Sequence, residues 1–327
     1  MAYYSILGFN KEPFSTSPDP SFFYLTKEHD MALTNILIEL HLKRGLSVIF
    51  GDIGTGKTSL SRLLVQELNK RGNMLFHIVL NPAYQGEAQF LRSLIRNFNV
   101  EVDTNPDRIQ DDILELRDIF EQFLIHKTIH ERQTVVLIID EAQKLDMATL
   151  ETLRVLLNFE TNEFKLLQLV LLGQVELYPK IVNMPNFMDR ISFKYTLNPL
   201  DARETRELIN YRVKAAGYNS RMDLFLDEAM NEIYNYTRGY PRKITKLCHQ
   251  ILKELILQNK QAVDRVLVRD VIEKDRQFQV GGLMGPNAGA DLPVRSQTPL
   301  TDHGRSSRDS GFGHSGHSSD HFGPGYN

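Results

Sequence analysis

Gly51-Asp52-Ile53-Gly54-Thr55-Gly56-Lys57-Thr58 is the stretch that decides the fold, because it has the pattern G-x-x-x-x-G-K-T. An apolar run at residues 46–50 precedes it, and apolar residues at helical spacing follow it over residues 58–68. Glycines in such a loop let backbone N–H groups face a phosphate, and the N-terminus of the next helix favours the bound negative charge. The sequence therefore predicts a strand–loop–helix unit that binds the phosphates of a nucleotide. A glycine-rich turn without a ligand is the alternative.

The loop contributes both backbone donors and two reactive side chains. We expect Lys57 to reach the β- and γ-phosphates and Thr58 to place its hydroxyl on Mg²⁺. ATP and Mg²⁺ are therefore the expected ligands. The predicted nucleotide-binding residues of the loop are Gly51, Asp52, Ile53, Gly54, Thr55, Gly56, Lys57, Thr58 and Ser59.

The second half of the site follows the apolar run at residues 135–139, which ends in Asp140 and Glu141. Open α/β sheets bind ligands at the carboxyl ends of their strands, and these two acids lie at such an end. We expect Asp140 to hold Mg²⁺ through water, and Glu141 to orient or deprotonate the water that attacks the γ-phosphate. Two solvated acids at a strand end are the alternative that the pair alone leaves open.

Gln174 and Arg242 are candidates for contact with the γ-phosphate. Gln174 follows the apolar run at residues 167–173, whose strand we expect beside that of Asp140, although a loop glutamine also bonds its own backbone. Arg242 follows Gly239-Tyr240-Pro241 at the start of a predicted helix, where the helix dipole opposes a cation. An anion should compensate Arg242, either the γ-phosphate or a carboxylate of the chain.

Two further arginines have alternatives in ordinary surface roles. Arg190 precedes the predicted fifth strand and could enter the site of a neighbouring subunit as an arginine finger, which stabilises transition-state charge. An ion pair with Asp189 is the other interpretation of Arg190. Arg154 is predicted to lie on a solvated helix face. The residues predicted to be catalytic are Glu141, Lys57, Arg190 and Gln174.

Apolar patterning predicts strands that alternate with helices, which is typical of a parallel sheet covered on both faces. The predicted strands lie at residues 46–50, 74–80, 135–139, 167–172 and 193–197. The predicted helices lie at residues 28–43, 58–68, 89–98, 109–126, 147–159, 202–215, 227–236, 242–258 and 268–274.

These elements predict four segments in the chain. Residues 1–44 form an aromatic arm and a leading helix, residues 45–199 the α/β core, and residues 200–279 a small helical domain. Residues 280–327 are rich in Gly, Ser and His, and they carry too few apolar residues to offset the entropy of ordering, so we expect disorder. The irregular spacing of the tail histidines favours a solvated linker over a metal site; they are His303, His314, His317 and His321.

Composition places the chain among ordinary soluble globular proteins, with 42% hydrophobic and 24% charged residues. The formal net charge of −3 gives no global reason to expect nucleic acid or an anionic membrane as partner. The single Cys248 excludes an intramolecular disulfide, and its helical context predicts a buried thiol. The N-terminus lacks the pattern of a signal peptide, and no apolar run approaches the roughly 20 residues of a membrane-spanning helix. We therefore expect a cytoplasmic protein without membrane insertion.

Several short stretches occur in a fixed order along residues 3–275. They are Gly8-Phe9, Pro13-Phe14, Pro18-Asp19-Pro20, His29, Ala32-Leu33, the phosphate loop, Asn81-Pro82, Ile139-Asp140-Glu141-Ala142-Gln143, Leu150-Glu151, Leu153-Arg154, Asn158, Glu160-Thr161, Lys165-Leu166-Leu167-Gln168, Gly173-Gln174, Glu176-Leu177, Asp189-Arg190-Ile191, Leu200 and Gly239-Tyr240-Pro241-Arg242. In this order and spacing, the chain resembles the ExeA/GspA-type secretion ATPases of the AAA+ superfamily.

The resemblance implies a RecA-like P-loop core, a parallel sheet sandwiched by helices, with a C-terminal all-helical AAA+ lid. It also implies ATP hydrolysis at subunit interfaces, assembly into a homo-oligomeric ring, Arg190 as the finger and Arg242 as the sensor of the lid. The family usually has Gln before the finger, where this chain has Asp189, an acid that could neutralise Arg190. The expected partners are further copies of the chain and envelope secretion or pilus assembly proteins, through which it would reach the inner membrane.

Three functions are compatible with the sequence. The first is an ATPase that acts as an assembly motor or switch for a secretion or pilus-type envelope machine. The second is an ATP-dependent DNA-binding regulator of transposition, of the similar TnsC/TniB type; basic residues interspersed with acids weaken this case. The third is a nucleotide-binding scaffold without hydrolysis, against which Glu141 argues.

Overall fold

Five parallel strands form a single sheet in the computed structural model of the chain, which describes residues 3–15, 22–101, 112–220 and 222–281. The strands are β1 (Leu46–Gly51), β2 (Met74–Val79), β3 (Thr134–Ile139), β4 (Leu167–Gly173) and β5 (Ile191–Leu197). Their order across the sheet is β2-β3-β4-β1-β5, so β1 pairs with β4 and β4 pairs with β3. The loops that follow these three strands therefore meet at one edge of the sheet.

Helices precede, connect and follow the strands. They are α1 (Tyr3–Ile6), α2 (Lys27–His41), α3 (Lys57–Asn69), α4 (Glu87–Asn97), α5 (Ile113–Ile125), α6 (Met147–Leu156), α7 (Leu177–Val182), α8 (Pro185–Met188), α9 (Ala202–Ala215), α10 (Asp227–Thr237), α11 (Pro241–Leu257) and α12 (Arg265–Gly281). A π-helical turn at His126–His130 continues α5, and a 3₁₀ turn at Ala142–Lys144 follows β3.

Side-chain caps set several of the helix starts. Thr26 accepts a hydrogen bond from the backbone N–H of His29 at the start of α2, and Asp146 does the same for Thr149 at the start of α6. Asp201 and Glu204 form a reciprocal capping box on α9. Such caps satisfy N–H groups that have no partner within the helix.

The five predicted strands are present, and β5 begins slightly earlier than predicted, at Ile191. Predicted residues 268–274 belong to the longer α12, which begins at Arg265 because Asp264 accepts a hydrogen bond from the N–H of Leu267. The sequence did not predict α7 or α8, which are too short to show helical periodicity. The first residues of the predicted helix at 109–126 lie outside the described residues.

Alternating side chains of the central strands feed two apolar clusters on opposite faces of the sheet. On one face, Val135, Leu137 and Ile139 pack in a cluster with residues of α4, α5 and α6. On the other face, Val136 and Ile138 pack with residues of α2 and α3. The sheet is thus covered on both faces, as predicted.

A third apolar cluster belongs to α9–α12, which we call the lid, and it includes the rings of the N-terminal arm. Phe9, Phe14 and Phe22 pack in this cluster, whereas α2, only a few residues further along, packs on the sheet. Cys248 is buried in the same cluster, as predicted, and burial raises the pKa of its thiol.

The main chain thus passes between the sheet clusters and the lid cluster at residues 22–29, and again at residues 197–200, because Leu197 packs on the sheet and Leu200 in the lid. The two passages are joined by a pair of hydrogen bonds. Asn198 donates to the carboxylate of Glu28 from its backbone N–H at 3.1 Å and from its side-chain amide at 3.3 Å.

Among the described residues, no helix is both long enough and apolar enough to cross a membrane. The predicted tail began at residue 280, whereas α12 continues to Gly281, so the helix ends later than predicted. The rest of the tail, with its four histidines, lies outside the described residues, and so does the Pro18-Asp19-Pro20 stretch. The division of the chain into the predicted segments stays a prediction.

Candidate functional site

A cavity of about 430 Å³ lies between the carboxyl edge of the sheet and the lid. Most of the predicted site residues line it: Ile53, Gly54, Gly56, Lys57, Thr58, Ser59, Glu141, Gln174 and Arg242. The structure adds residues from the arm, from α3 and from the lid: Ser15, Phe23, Arg62, Leu63, Gln66, Arg212, Pro241 and Thr245. The strand order brings the predicted halves of the site together, since β1 is separated from β3 only by β4.

The loop between β1 and α3 has the conformation that its glycines permit. Gly54 and Gly56 have φ angles of +87° and +106°, in the left-handed region that favours glycine. At Gly56 a side chain would also have no room, because a Cβ atom built there would lie 2.5 Å from Nε2 of His29. His29 is 3% exposed and anchors this side of the loop through a 3.2 Å contact between Nε2 and the carbonyl of Thr55.

Lys57 is nearly buried, and its ammonium group lies inside the loop. Its Nζ donates to the carbonyl oxygens of Gly51 at 2.7 Å and Asp52 at 2.9 Å. Burial lowers the pKa of Lys57, while the nearby carboxylates of Glu141 and Asp140 act in the opposite direction. The ammonium group of Lys57 is therefore close enough to the two carboxylates after β3 for an electrostatic interaction.

Asp140 is 1% exposed and lies against the start of α3. Its carboxylate accepts hydrogen bonds from the backbone N–H of Glu141 at 2.9 Å and from Oγ of Ser61 at 3.4 Å, and the nearby side chain of Thr58 also lowers its pKa. Burial raises the pKa of Asp140, and these donors partly counteract that increase. A hydroxyl and a carboxylate in contact at this point match the hard oxygen ligands that Mg²⁺ prefers, so the residues present fit that ion.

Glu141 has a left-handed backbone, with φ of +55°, which is uncommon for a residue other than glycine and is often found at functional sites. Its Oε2 atom accepts a hydrogen bond from Nε2 of Gln143 at 2.8 Å and a longer one from Nε2 of Gln174 at 3.4 Å. Gln174, after β4, thus contacts Glu141, after β3, directly. The prediction that β4 lies beside β3 is confirmed.

The lid contacts the phosphate loop through Gly239-Tyr240-Pro241-Arg242. Tyr240 donates from its hydroxyl to Oδ2 of Asp52 at 2.7 Å, and this hydrogen bond is the main cause of the raised pKa of Tyr240. The backbone N–H of Arg242 lies 3.5 Å from the carbonyl of Gly54. Asp52 and Tyr240 line a second cavity of about 390 Å³ that shares Ile53, Gln174 and Arg242 with the first.

The arm and the lid also meet at the far end of the cavity. Arg212 of α9 donates to the carbonyl oxygens of Pro13 at 3.3 Å and Ser15 at 3.5 Å. Within the described ranges its Nε has no hydrogen-bond partner, and burial lowers the pKa of the guanidinium. The arm therefore forms part of the wall of the site.

Arg190 and Arg154 lie outside this cavity. Arg190 donates to the carbonyl of Asn186 at 2.6 Å and to the side chain of Asn158. Arg154 forms an ion pair at 2.6 Å with Glu151, one turn away on the same helix, and its side chain is partly exposed, which is compatible with the predicted helix face.

Sequence reasoning missed Gln143, Tyr240, His29 and Lys180 as individual contributors to the site. Gln143 carried one signal, its position two residues after Glu141. Tyr240 stood beside Arg242 without a reason to expect Asp52 as its partner. His29 belonged to the stretches that carry the resemblance but had no role assigned, and no pattern identified Lys180, because the contacts of both residues join segments far apart in the chain.

The sequence is similar to one described protein family and to a bacterial secretion protein. The model of a family described as an AAA domain matches residues 40–181. General secretion pathway protein A of Aeromonas hydrophila is 32% identical over 253 residues, which cover 76% of this chain and 44% of that protein. The chain therefore spans less than half the length of this relative.

Solved structures are similar at lower identity. The ORC2 protein of Aeropyrum pernix, in its ADPNP-ADP complexes, has a TM-score of 0.58 at 16% identity, covering 81% of this chain and 71% of that one. A structure of Drosophila ORC bound to DNA has a TM-score of 0.61 at 14% identity, covering 86% and 68% of the two chains. These similarities confirm the predicted fold class, an α/β P-loop core with helices on both faces of the sheet and a helical lid.

Proposed function

We propose that the chain is an AAA+ protein of the ExeA/GspA type, which binds ATP with Mg²⁺ and hydrolyses it. The observation that carries the proposal is the convergence of three predicted groups on one cavity. Lys57, Glu141 and Gln174 line it together, although they come from three different loops of the sheet edge. Such convergence of a cation, a carboxylate and an amide suits phosphoryl transfer, which needs positioning and charge compensation.

Each residue has a role in this proposal. The loop from Gly51 to Ser59 holds the phosphates through its N–H groups, and Lys57 compensates their charge. Thr58 and Asp140 would hold Mg²⁺, which supplies further compensation of charge on the phosphate oxygens. Glu141 orients and deprotonates the attacking water, and Gln174 contacts the γ-phosphate or that water.

Arg242 supports the sensor role that we propose for it. It lines the cavity, and within the described parts of the chain no carboxylate forms an ion pair with it. Its position at the start of α11 places a cation where the helix dipole disfavours one, so a bound γ-phosphate would stabilise it. A carboxylate of the chain was the alternative partner, and none is found there among the residues that the structure describes.

We propose that the active form is a homo-oligomer, in which Arg190 of one copy reaches the cavity of the next. Its place outside the cavity of its own chain is compatible with this role. The biological role that we propose is that of an assembly motor or switch for a secretion or pilus-type envelope machine. General secretion pathway protein A, the relative with 32% identity, provides the support for this role.

Phosphate release by the purified protein tests the enzymatic part of the proposal. Glu141→Gln should lower ATP turnover by about 100-fold or more, because the water loses its base. Lys57→Ala should abolish ATP binding measured by calorimetry. Glu163→Gln is a matched control, since Glu163 is exposed and its side chain lies outside the cavity. Equal turnover by the Glu141→Gln variant and the parent protein would reject the catalytic assignment.

A separate experiment tests the biological role. The secretion proposal predicts no ATP-dependent retention on duplex DNA. Retention that depends on ATP and weakens steeply with salt would instead favour the transposition-regulator alternative, because phosphate contacts release counterions.

A further inference from the structure

The side chain of Gln143 joins the loop after β3 to the end of β4. Its Nε2 donates to Oε2 of Glu141 at 2.8 Å, and its Oε1 accepts from the backbone N–H of Gln174 at 3.0 Å. One amide thus contacts both the carboxylate assigned to the water and the residue assigned to the γ-phosphate. Gln143 itself does not line the cavity.

The chemistry of the two neighbours fixes the orientation of this amide. An ionised carboxylate only accepts hydrogen bonds and a backbone N–H only donates, so the NH₂ of Gln143 must face Glu141 and its oxygen must face Gln174. A glutamate at this position would keep the acceptor but place a second carboxylate against Glu141. An alanine would leave both groups without this partner.

The backbone of Gln143 is also fixed, by Lys180 of α7. Nζ of Lys180 donates to the carbonyl oxygens of Gln143 and Leu145, at 2.7 Å each. Two charge-assisted hydrogen bonds from one ammonium group hold the turn after β3 against α7. The side chain of Gln143 therefore extends from a backbone that Lys180 holds in place at two carbonyl groups.

Glu141 depends on such support for its direction. Its backbone is already in the left-handed region, and its N–H is bonded to Oδ1 of Asp140. Its second side-chain contact, with Nε2 of Gln174, is long at 3.4 Å. The 2.8 Å hydrogen bond from Gln143 is thus the shorter of the two contacts that hold the carboxylate.

We propose that Gln143 is a positioning residue for hydrolysis, which acts through Glu141. It holds the Glu141 carboxylate in the direction needed for the attacking water, and it ties that direction to the backbone of Gln174. Contact of Gln174 with a γ-phosphate would then be transmitted to Glu141 through one amide. This inference rests on the proposed function, because it assigns Glu141 to the water.

Steady-state ATP hydrolysis by Gln143→Ala and Gln143→Glu tests the proposal. Both variants should lower kcat by about 10- to 100-fold, the effect of misplacing a catalytic group by about 1 Å. The KM for ATP and the calorimetric Kd should change by less than about twofold, because the phosphate loop is intact. Gln122→Ala is the matched control, since Gln122 is exposed on α5. The isosteric Gln143→Glu provides the test if the alanine variant fails to fold.

A double variant separates positioning from a general structural role. In a Glu141→Gln background, Gln143→Ala should cause little further loss of kcat, because residues that act as a unit are not additive. An additional loss equal to that of the single variant would overturn the inference, and so would a kcat equal to that of the parent protein. An active parent with an inactive Glu141→Gln variant and unaffected Gln143 variants would reject this inference alone. A parent without ATP turnover would reject the proposed function as well.

Discussion

The hydroxyl of Tyr240 donates a 2.7 Å hydrogen bond to Oδ2 of Asp52, across 188 positions of the sequence. Asp52 is the second residue of the phosphate loop, and Tyr240 precedes the first helical turn of α11. The ammonium of Lys243 lies 4.7 Å from the centre of the Tyr240 ring, on the same side of the lid. The phosphate loop and the lid are therefore linked by a side-chain contact as well as by the backbone approach of Arg242 to Gly54.

Removal of this link should weaken nucleotide binding. Tyr240→Phe keeps the ring and loses the hydroxyl, so the lid is less well ordered over the cavity. A hydrogen bond of this kind contributes about 1 kcal/mol, which corresponds to a rise in the Kd for ATP of roughly fivefold. Calorimetry would measure this rise, with Tyr178→Phe, at a 47% exposed tyrosine, as the control. An unchanged Kd would show that the contact does not contribute to binding.

A side chain at Gly56 should damage the loop for two reasons. Gly56→Ala must adopt a φ of +106°, and its Cβ would lie 2.5 Å from Nε2 of His29. We expect a loss of about 1–3 kcal/mol in stability, visible as a lower Tm, together with loss of ATP binding. Gly72→Ala is the control, because nothing lies within 4 Å of a Cβ built there.

A second substitution separates the two causes at Gly56. His29→Ala in the Gly56→Ala background removes the clash and leaves the backbone strain. The double variant should therefore recover part of the lost Tm. No recovery would place the whole effect in the backbone angle.

We expect the ionised carboxylate of Asp140 to lower the free energy of unfolding at neutral pH, although ATP turnover requires it. Burial raises its pKa, so the folded protein keeps this proton to a higher pH than the unfolded chain does. Stability therefore falls as the pH rises through the pKa of the folded state, and the full cost is present above it. Asp140→Asn should raise the Tm at pH 7, with a difference that shrinks as the pH is lowered, while ATP turnover falls by about 100-fold.

Thermal melts between pH 5 and pH 8 would measure the difference in Tm between Asp140→Asn and the parent protein. This interval is approximately the range of maximal stability in most proteins. Asp118→Asn, at an exposed position on α5, is the control for an ordinary surface carboxylate. A Tm that falls at pH 7 would contradict the prediction.

Arg190 should act on a neighbouring copy of the chain. We expect Arg190→Ala and Glu141→Gln each to lose ATP turnover when assayed alone. The loss of a finger arginine should lower the turnover of Arg190→Ala by about 1000-fold or more. A mixture of the two variants should regain ATP turnover, because some interfaces then combine an intact Glu141 with an intact Arg190. If the mixture stays as inactive as its components, Arg190 has no role across the interface. Lys194→Ala provides a control at a cation on β5.

The strands and the phosphate loop could be predicted because their signals are local. The apolar run before Gly51 and the run before Asp140 each indicate a buried strand directly, and their alternation with helices indicates a parallel sheet. The strand order was predicted only for β3 and β4. Contacts between distant segments carried no such signal. The partner of Tyr240 is in another part of the chain, and the arm supplies rings to the lid although it precedes the sheet in sequence.

The residues of the proposed catalytic site also divide into those that the sequence could identify and those that it could not. Lys57, Asp140 and Glu141 were identified because their residue types and positions relative to strands are informative. Gln143 was not, since its importance depends on where the N–H of Gln174 lies.

The pair of hydrogen bonds between Asn198 and Glu28 has a consequence for motion. The chain passes from sheet to lid at two places, and these bonds fasten the two passages to each other. A lid attached by one segment would be free to swing and twist, whereas one attached by two joined segments has a single pivot. Any opening of the cavity would then be a rotation about a line near Glu28 and Asn198, and residues close to that line, such as Gly239, whose carbonyl accepts from the N–H of Leu200, would move the least.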